Sequence, residues 1–195
     1  MISELLNKSN LFKLLFHIDK DLAELTKQAG CQHCPNGPLH QANYLRKPRG
    51  EGKTLSIPDE YKVQFSFCCG NTDCRKRHKA NSVRFFDRRV YWGVTILIII
   101  TLKQGRRYGY CYTKIMDMFN INKNTLYRWM EYFREIFPNT NKWKELRGRI
   151  SSEVSNNKLP EDLLDFFILK TNSEENAIIQ CLRFLAKSDS IFLNK

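Results

Sequence analysis

Seven cysteines are the residues of this 195-residue chain whose type and spacing most directly indicate chemistry. A disulfide scaffold would spread its cysteines along the chain, whereas clustered cysteines without an evident secretion signal favour a metal site. Five of them fall within one short stretch, namely Cys31, Cys34, Cys68, Cys69 and Cys74. The other two, Cys111 and Cys181, have apolar neighbours, and we interpret them as small core residues.

The first half of the expected metal site is the motif Cys31-Gln32-His33-Cys34. Its CxxC spacing lets two thiolates reach one ion from a single tight turn. The second half follows a predicted strand and contains Gly70 and Asn71, which suit another tight turn. Two cysteine pairs on two turns between short strands predict a zinc ribbon.

Which residue pairs with Cys74 is open on spacing alone. Cys69 is preferred over Cys68 because it closes the shorter loop, and His40 or His78 could replace one thiolate. Four protein ligands leave no position for a reactive water, so the expected Zn²⁺ is structural. The expected metal ligands are Cys31, Cys34, Cys69 and Cys74.

Residues 115–129 match a helix-turn-helix pattern. Asn120 tolerates the left-handed backbone that the turn needs, Ile121 fills the angle between the helices, and Asn122 is a good N-cap. An ordinary helical hairpin is the alternative interpretation. The expected buried stripe of the second helix is Leu126, Trp129, Met130, Phe133 and Ile136.

The opposite face of that second helix carries residues that can contact DNA, namely Lys123, Asn124, Tyr127 and Arg128. Arginine can recognise guanine, and asparagine can recognise adenine, through paired hydrogen bonds in the major groove. This helix is therefore the predicted recognition helix.

The charge of the chain favours a polyanionic partner. There are 32 Lys and Arg against 20 Asp and Glu, which leaves a formal charge of +12. Folding does not need this excess, whereas phosphates attract it, although a solvated basic surface is the simpler alternative. Beside the helix, the expected DNA contacts are Arg75, Lys76, Arg77, Arg84, Arg88 and Arg89.

Hydrophobic periodicity predicts the order of the elements. A helix is expected over 2–28, with a break at Asn10 and an end at Gly30, and strands over 40–45, 61–67 and 82–85. Further helices are predicted over about 88–103, 113–119, 123–137, from Pro160 onward, and over 173–187, with a linker over 151–159.

These elements predict an α+β fold that is mainly α, with a small zinc-ribbon β-module between an N-terminal helix and a helix-turn-helix domain. The longest apolar stretch, Trp92 to Leu102, is shorter than the roughly 20 residues that span a bilayer, so a cytoplasmic protein is expected. The predicted divisions are 1–29, an N-terminal helical segment; 30–86, the ribbon; 87–150, the helix-turn-helix domain; and 151–195, a linker with C-terminal helices.

Several segments carry a resemblance to a known group of proteins. The order of a CxxC motif, a basic loop, a second cysteine cluster and Arg-rich residues before helices resembles the zinc-ribbon ends of bacterial transposases. A group of small bacterial proteins of the mobile-element type is resembled more closely, in the segments Leu39 to Gly50, Phe65 to Cys69, Ser82 to Tyr91 and Thr125 to Trp129. The resemblance implies DNA binding in transposition or recombination, a transposase or recombinase as a further partner, and association with the bacterial nucleoid. It supplies no catalytic residues.

The expected function is sequence-specific binding of double-stranded DNA, with a role as an accessory or regulatory factor and not as an enzyme. The acidic residues Glu161, Asp162 and Asp165 lie on one predicted helix, where the helix dipole favours them without any catalytic role. Two alternatives remain open. One is a zinc-ribbon interaction module for a recombinase. The other is a single-stranded nucleic-acid binder that uses Tyr44, Phe65 and Phe67.

Overall fold

The computed structural model describes residues 8–35, 37–46, 58–85, 116, 122–150, 152–171 and 173–186, and their fold is mixed α+β. The helices are α1 (Lys8–Ala29), α2 (Lys123–Glu131), α3 (Asn141–Arg147), α4 (Glu161–Thr171) and α5 (Glu174–Leu185). The strands are β1 (Leu39–Gln41), β2 (Tyr44–Leu45), β3 (Val63–Gln64), β4 (Ser66–Cys69) and β5 (Arg77–Lys79).

Helix α1 forms as its apolar spacing predicts. Phe12, Leu15, Ile18 and Leu22 recur at intervals of three or four residues and are all buried. The helix continues through Asn10, where the sequence predicts a break. It ends before Gly30, whose φ of 71° lies in the left-handed region that favours glycine after a helix.

The strands form a small antiparallel module. The three-stranded sheet has the order β1-β4-β5, and β2 pairs with β3. The predicted strand over 61–67 is divided, because Asp59–Lys62 is a 3₁₀ helix and Phe65 separates β3 from β4. The third predicted strand, 82–85, is wrong, and the strand that pairs there is β5.

The main core joins the two ends of the described chain. Buried residues of α1 pack in one cluster with buried residues of α4 and α5, including Leu163, Phe167 and Cys181. The segment expected to be a linker also contributes to it, because Val154 and Leu159 are buried. Among the described residues, no helix combines the length and apolarity needed to cross a membrane.

The segment after α2 departs from a regular α-helix. Residues Tyr132–Ile136 form a π-helical turn, which places about one extra residue in the turn. Phe133 is buried as predicted, but the next residue that faces the core is Phe137, and Ile136 is 48% exposed. The prediction that Ile136 is buried was wrong because it assumed an uninterrupted α-helical period.

Most of the first half of the predicted helix-turn-helix lies outside the described residues. The predicted helix over about 88–103 also lies outside them, as do Arg88, Arg89 and Cys111. Met116 is described, and it is helical and packs partly buried against the main core.

A buried ion pair connects α1 to the segment that leaves the β-module. Asp19 and Arg84 are both 0% exposed, and Arg84 Nε donates to Asp19 Oδ2 at 2.7 Å. The carboxylate also accepts a hydrogen bond from the Ser82 hydroxyl at 2.5 Å and one from the Val83 amide at 2.6 Å. Burial raises the pKa of the Asp19 carboxyl, while the Arg84 charge and these hydrogen bonds oppose that rise.

The other two guanidinium nitrogens of Arg84 also have hydrogen-bond partners. Its Nη1 and Nη2 donate to the carbonyl oxygens of Tyr61 and Val63, at 2.6 and 2.8 Å. Its guanidinium carbon lies 4.9 Å from the ring centroid of Phe16 and 5.2 Å from that of Phe85. The prediction that Arg84 contacts DNA was therefore wrong, since this residue is an internal cross-link.

Replacing Asp19 by asparagine is expected to destabilise the fold by about 3–5 kcal/mol, because the Arg84 charge would stay buried without its partner. Urea unfolding, followed by circular dichroism, measures the change. Asp21→Asn is the matched control on the same helix. Its partner is Arg183 at 2.5 Å, but the Asp21 side chain is 57% exposed, so less than about 1 kcal/mol is expected. Equal destabilisation in both variants would contradict this role of Asp19.

Candidate metal centre and basic surfaces

Four cysteine sulfurs converge at one point of the β-module. The Sγ atoms of Cys31, Cys34, Cys69 and Cys74 all lie within 4.8 Å of one another. Cys31 and Cys74, 43 residues apart in the chain, have their sulfurs 3.7 Å apart, and the sulfurs of Cys34 and Cys69 are 3.4 Å apart. The set is the one predicted from spacing, and Cys69 rather than Cys68 belongs to it.

The sulfur spacing fits a tetrahedral metal site and not a pair of disulfides. Zinc–sulfur bonds of about 2.3 Å in a tetrahedron place neighbouring sulfurs about 3.8 Å apart. A disulfide requires about 2.05 Å, and all four cysteines are free thiols. The four residues can therefore hold one ion with little movement.

The turns that carry the cysteines explain why they meet. Cys31 follows Gly30 directly, so the left-handed backbone of Gly30 turns the chain from α1 into the CxxC motif. Cys69 is the last residue of β4, and Gly70 N–H donates to the Pro38 carbonyl at 2.7 Å. Cys74 lies in a turn closed by its N–H donating to the Asn71 carbonyl at 3.1 Å.

Gly37 has no room for a side chain. A Cβ at this position would lie 2.5 Å from Cys69 Sγ, 2.7 Å from Cys34 Sγ and 3.2 Å from the Cys31 Cβ. The backbone of Gly37 is thus packed directly against the sulfur cluster. The sequence did not indicate this role, because Gly37 lies outside both cysteine motifs.

Two of the alternate ligands lie on the other face of the sheet. The register aligns His40 with Cys68 and Cys68 with Arg77, so these residues form a row across the three strands. The Cys68 thiol donates to the Arg75 carbonyl at 3.2 Å, and the His40 ring covers Gly70. Alternation along β4 therefore separates Cys68 from the cluster and directs Cys69 into it.

His78 contacts the cluster without joining it. Its Nε2 lies 3.2 Å from Cys31 Sγ, and the residue is buried on β5. The backbone N–H of His33 points to the same sulfur at 3.4 Å. The third alternate ligand is therefore a hydrogen-bonding neighbour of Cys31, a role that spacing alone did not distinguish from ligation.

The thiols of Cys31, Cys34 and Cys69 ionise unequally. Burial raises the pKa of Cys31, but hydrogen bonds from the His33 and Cys34 amides, the Cys34 thiol and His78 outweigh it and lower the pKa to about 5. The hydrogen bond with Cys69 and burial raise the pKa of Cys34 to about 12, and burial also raises the pKa of Cys69. Metal binding must displace protons from Cys34 and Cys69, because only thiolates are strong ligands.

No protein-family model, curated protein or solved structure matches this chain. The arrangement of its own side chains is therefore the basis for any functional conclusion. Two exposed basic regions accompany the sulfur cluster.

The first basic region follows Cys74. Arg75, Lys76 and Arg77, three of the expected DNA contacts, are all exposed. Arg75 has a φ of 46°, and a left-handed backbone costs a residue with a side chain roughly 1–2 kcal/mol. The Arg77 guanidinium carbon lies 5.5 Å from the centre of the Tyr44 ring.

The second basic region is the predicted DNA-contacting face of α2. Lys123, Asn124 and Arg128 are exposed, and Tyr127 is 51% exposed. The Lys123 ammonium nitrogen lies 5.6 Å from the Tyr127 ring centre. The exposure of this face agrees with the predicted pattern, whereas the side chains of Leu126, Trp129 and Met130 lie outside those described.

The aromatic surface required for stacking single-stranded bases is mostly covered. Phe67 is buried in the β-module, and the Phe65 ring is partly buried, with its centroid 5.5 Å from that of Phe16. Of the three predicted stacking residues, Tyr44 alone is exposed.

Replacing Gly37 by alanine is expected to force the sulfurs apart and to weaken metal binding at least tenfold. Titration with Co²⁺, followed by the sulfur-to-cobalt charge-transfer absorption, measures the affinity. Gly148→Ala is the control, since a Cβ there meets nothing nearer than a carbonyl oxygen at 4.0 Å. An unchanged affinity in Gly37→Ala would show that the cluster does not hold the metal.

Proposed function

We propose that this protein is a zinc-stabilised protein that binds double-stranded DNA. The observation that carries the proposal is the convergence of the four sulfurs of Cys31, Cys34, Cys69 and Cys74. Thiolate ligands in a tetrahedral set favour Zn²⁺ over the hard cations that prefer oxygen. The bound ion would hold α1, β4 and the turn before β5 together.

The zinc is proposed to be structural. Four cysteine ligands would fill the coordination sphere and leave no position for water or substrate. Among the described residues, the small core around the cluster contains five buried hydrophobic residues, namely Ala23, Leu39, Phe67, Cys69 and Ala80. A core of this size supplies little stabilisation by itself, so metal binding would provide much of the folding free energy of the module.

The adjacent residues Cys68 and Cys69 provide a matched test of the metal site. Cys69→Ala is expected to lower zinc content from one ion per chain to near zero and to unfold the β-module. Cys68→Ala is expected to keep one ion, because its thiol contacts the Arg75 carbonyl instead. Elemental analysis of dialysed protein measures both variants. Equal zinc loss in the two variants, or zinc retained in Cys69→Ala, would refute the proposed ligand set.

DNA binding is proposed from charge and exposure together. The chain has a formal charge of +12, and α2 has an exposed face with Lys123 and Asn124 in its first turn and Tyr127 and Arg128 further along. The N-terminal end of a recognition helix is the end that contacts base edges. An asparagine and an arginine on this face have the chemistry to distinguish adenine and guanine.

Arg128 and Lys76 are expected to affect DNA binding in different ways. Arg128→Ala should reduce discrimination between the preferred site and its single-base variants by about 1–3 kcal/mol, because a bidentate bond to a base would be removed. Lys76→Ala should weaken binding to all sequences alike, as expected for a residue that binds phosphate. Fluorescence anisotropy on a duplex selected from a random library, and on its variants, measures both effects.

The control for both substitutions is Lys20→Ala, which removes an exposed cation from α1. This variant is expected to leave affinity and discrimination unchanged. If Arg128→Ala weakens the binding of every duplex equally, Arg128 does not read bases. Absence of duplex binding by the zinc-loaded protein would remove the DNA proposal and leave the metal proposal intact.

The biological role proposed is that of an accessory or regulatory factor of a mobile element, with a recombinase or transposase as a further partner. It is supported by the resemblance of the zinc-module segments, including Phe65 to Cys69 and Ser82 onward, to mobile-element proteins. Protein interaction through the ribbon is the competing function. It predicts partner binding that survives substitution of Lys123, Asn124 and Arg128.

A further inference from the structure

We propose that the exposed segment Arg75-Lys76-Arg77, here called the β5 basic surface, is a second phosphate-binding site for duplex DNA, independent of α2. The proposal rests on the proposed DNA binding and deepens it. It extends the phosphate contact expected of Lys76 to its neighbours Arg75 and Arg77, and it makes the three residues one site that acts separately from α2.

The position of the segment makes its cations available to a partner. All three side chains are exposed, and within the described part of the chain no ion pair neutralises them. The exposed acid in the preceding turn is Asp73, whose own N–H donates to the Asn71 side chain. Three cations outweigh this single carboxylate, so the surface is attractive to phosphate.

The backbone of Arg75 is the observation least explained by folding alone. Its φ of 46° is a conformation that glycine adopts without cost and arginine does not. The turn holds it there, because the Arg75 N–H donates to the Asn71 carbonyl at 3.0 Å and its carbonyl accepts from the Cys68 thiol. A charged side chain at a position where glycine would fit better indicates a role for that charge.

Arg77 is held in a defined position on the outer face of the sheet. Its guanidinium lies over the Tyr44 ring, and Nη1 donates to the Ala42 carbonyl at 3.5 Å. The next residue, His78, faces the sulfur cluster, so alternation directs Arg77 away from it. A guanidinium fixed in this way loses less side-chain freedom when it binds phosphate, and its other N–H groups stay available.

Arg75→Gly is the decisive substitution, because a failure to fold cannot explain its effect. Glycine relieves the left-handed backbone, so the melting temperature of the zinc-loaded protein should stay the same or rise. The β5 basic surface predicts that DNA affinity nevertheless falls. A merely structural role for Arg75 predicts unchanged or improved binding.

The experiment measures how affinity for a 20-base-pair fluorescent duplex of arbitrary sequence depends on salt concentration, using the full zinc-loaded chain. Removing the protein's bond to one phosphate lowers the slope of log K against log salt by about 0.9. Arg75→Gly and Arg77→Gln should each lower the slope by about one, and the double variant by about two. Arg75→Lys, which keeps the charge, and Lys20→Gln on α1 should match the wild type.

The outcomes separate the two proposals. Wild-type binding with unchanged slopes in both arginine variants overturns the β5 basic surface and leaves DNA binding through α2 in place. Wild-type protein that fails to bind the duplex overturns both. Binding of the isolated strand that is as tight as that of the duplex, with the same slope changes, overturns the assignment of duplex DNA as the occupant.

Discussion

The buried pairing of Asp19 with Arg84 is the interaction on which the arrangement of the described chain depends. It joins the middle of α1 to the point where the chain leaves the β-module, and the same guanidinium holds the backbone at Tyr61 and Val63. An unpaired charge in this position would be costly, so the pair acts as a geometric constraint more than as a source of net stability. Because α1 is fixed in this way, the CxxC motif that follows it starts at a defined distance from β4.

The sulfur cluster and the ion pair restrain the β-module at two different places. The cluster ties the start of the module to the turn before β5, and Arg84 ties its exit to α1. Such a double restraint suits a region with little apolar core of its own. It also keeps β5 and its charged residues in a constant position relative to the zinc site that we propose.

Local patterns in the sequence predicted what depends on neighbouring residues. The end of α1 at Gly30, and the choice of Cys69 over Cys68, followed from turn chemistry and loop closure, and the structure agrees with both. Long-range packing was harder to predict. In the sequence, nothing distinguishes Arg84 from the other basic residues near it. Its burial depends on Asp19, which is 65 residues away.

The structure differs from the prediction at two further places, β5 and Ile136, for local reasons that the hydrophobic pattern does not indicate. Strand β5 has two charged residues out of three, and its sequence does not indicate a strand because His78 alone of the three is buried. Phe133 is buried as predicted, but after the π-helical turn the next buried position is Phe137 and not Ile136, which fitted the α-helical period. The exposure of the α2 face and the convergence of the four cysteines were easier to predict, since each depends on spacing within one or two short segments.

The packing of α1 against α5 bears on the order in which the protein is made. Asp21 and its partner Arg183 are 162 residues apart, so the apolar stripe of α1 leaves the ribosome long before the helix that covers it. At synthesis rates of about 5–20 residues per second, the interval is roughly 8–32 seconds. The cysteines of the cluster, which span only 43 residues, are all synthesised well within that time. The β-module can therefore order before α5 has been synthesised and can pack against α1.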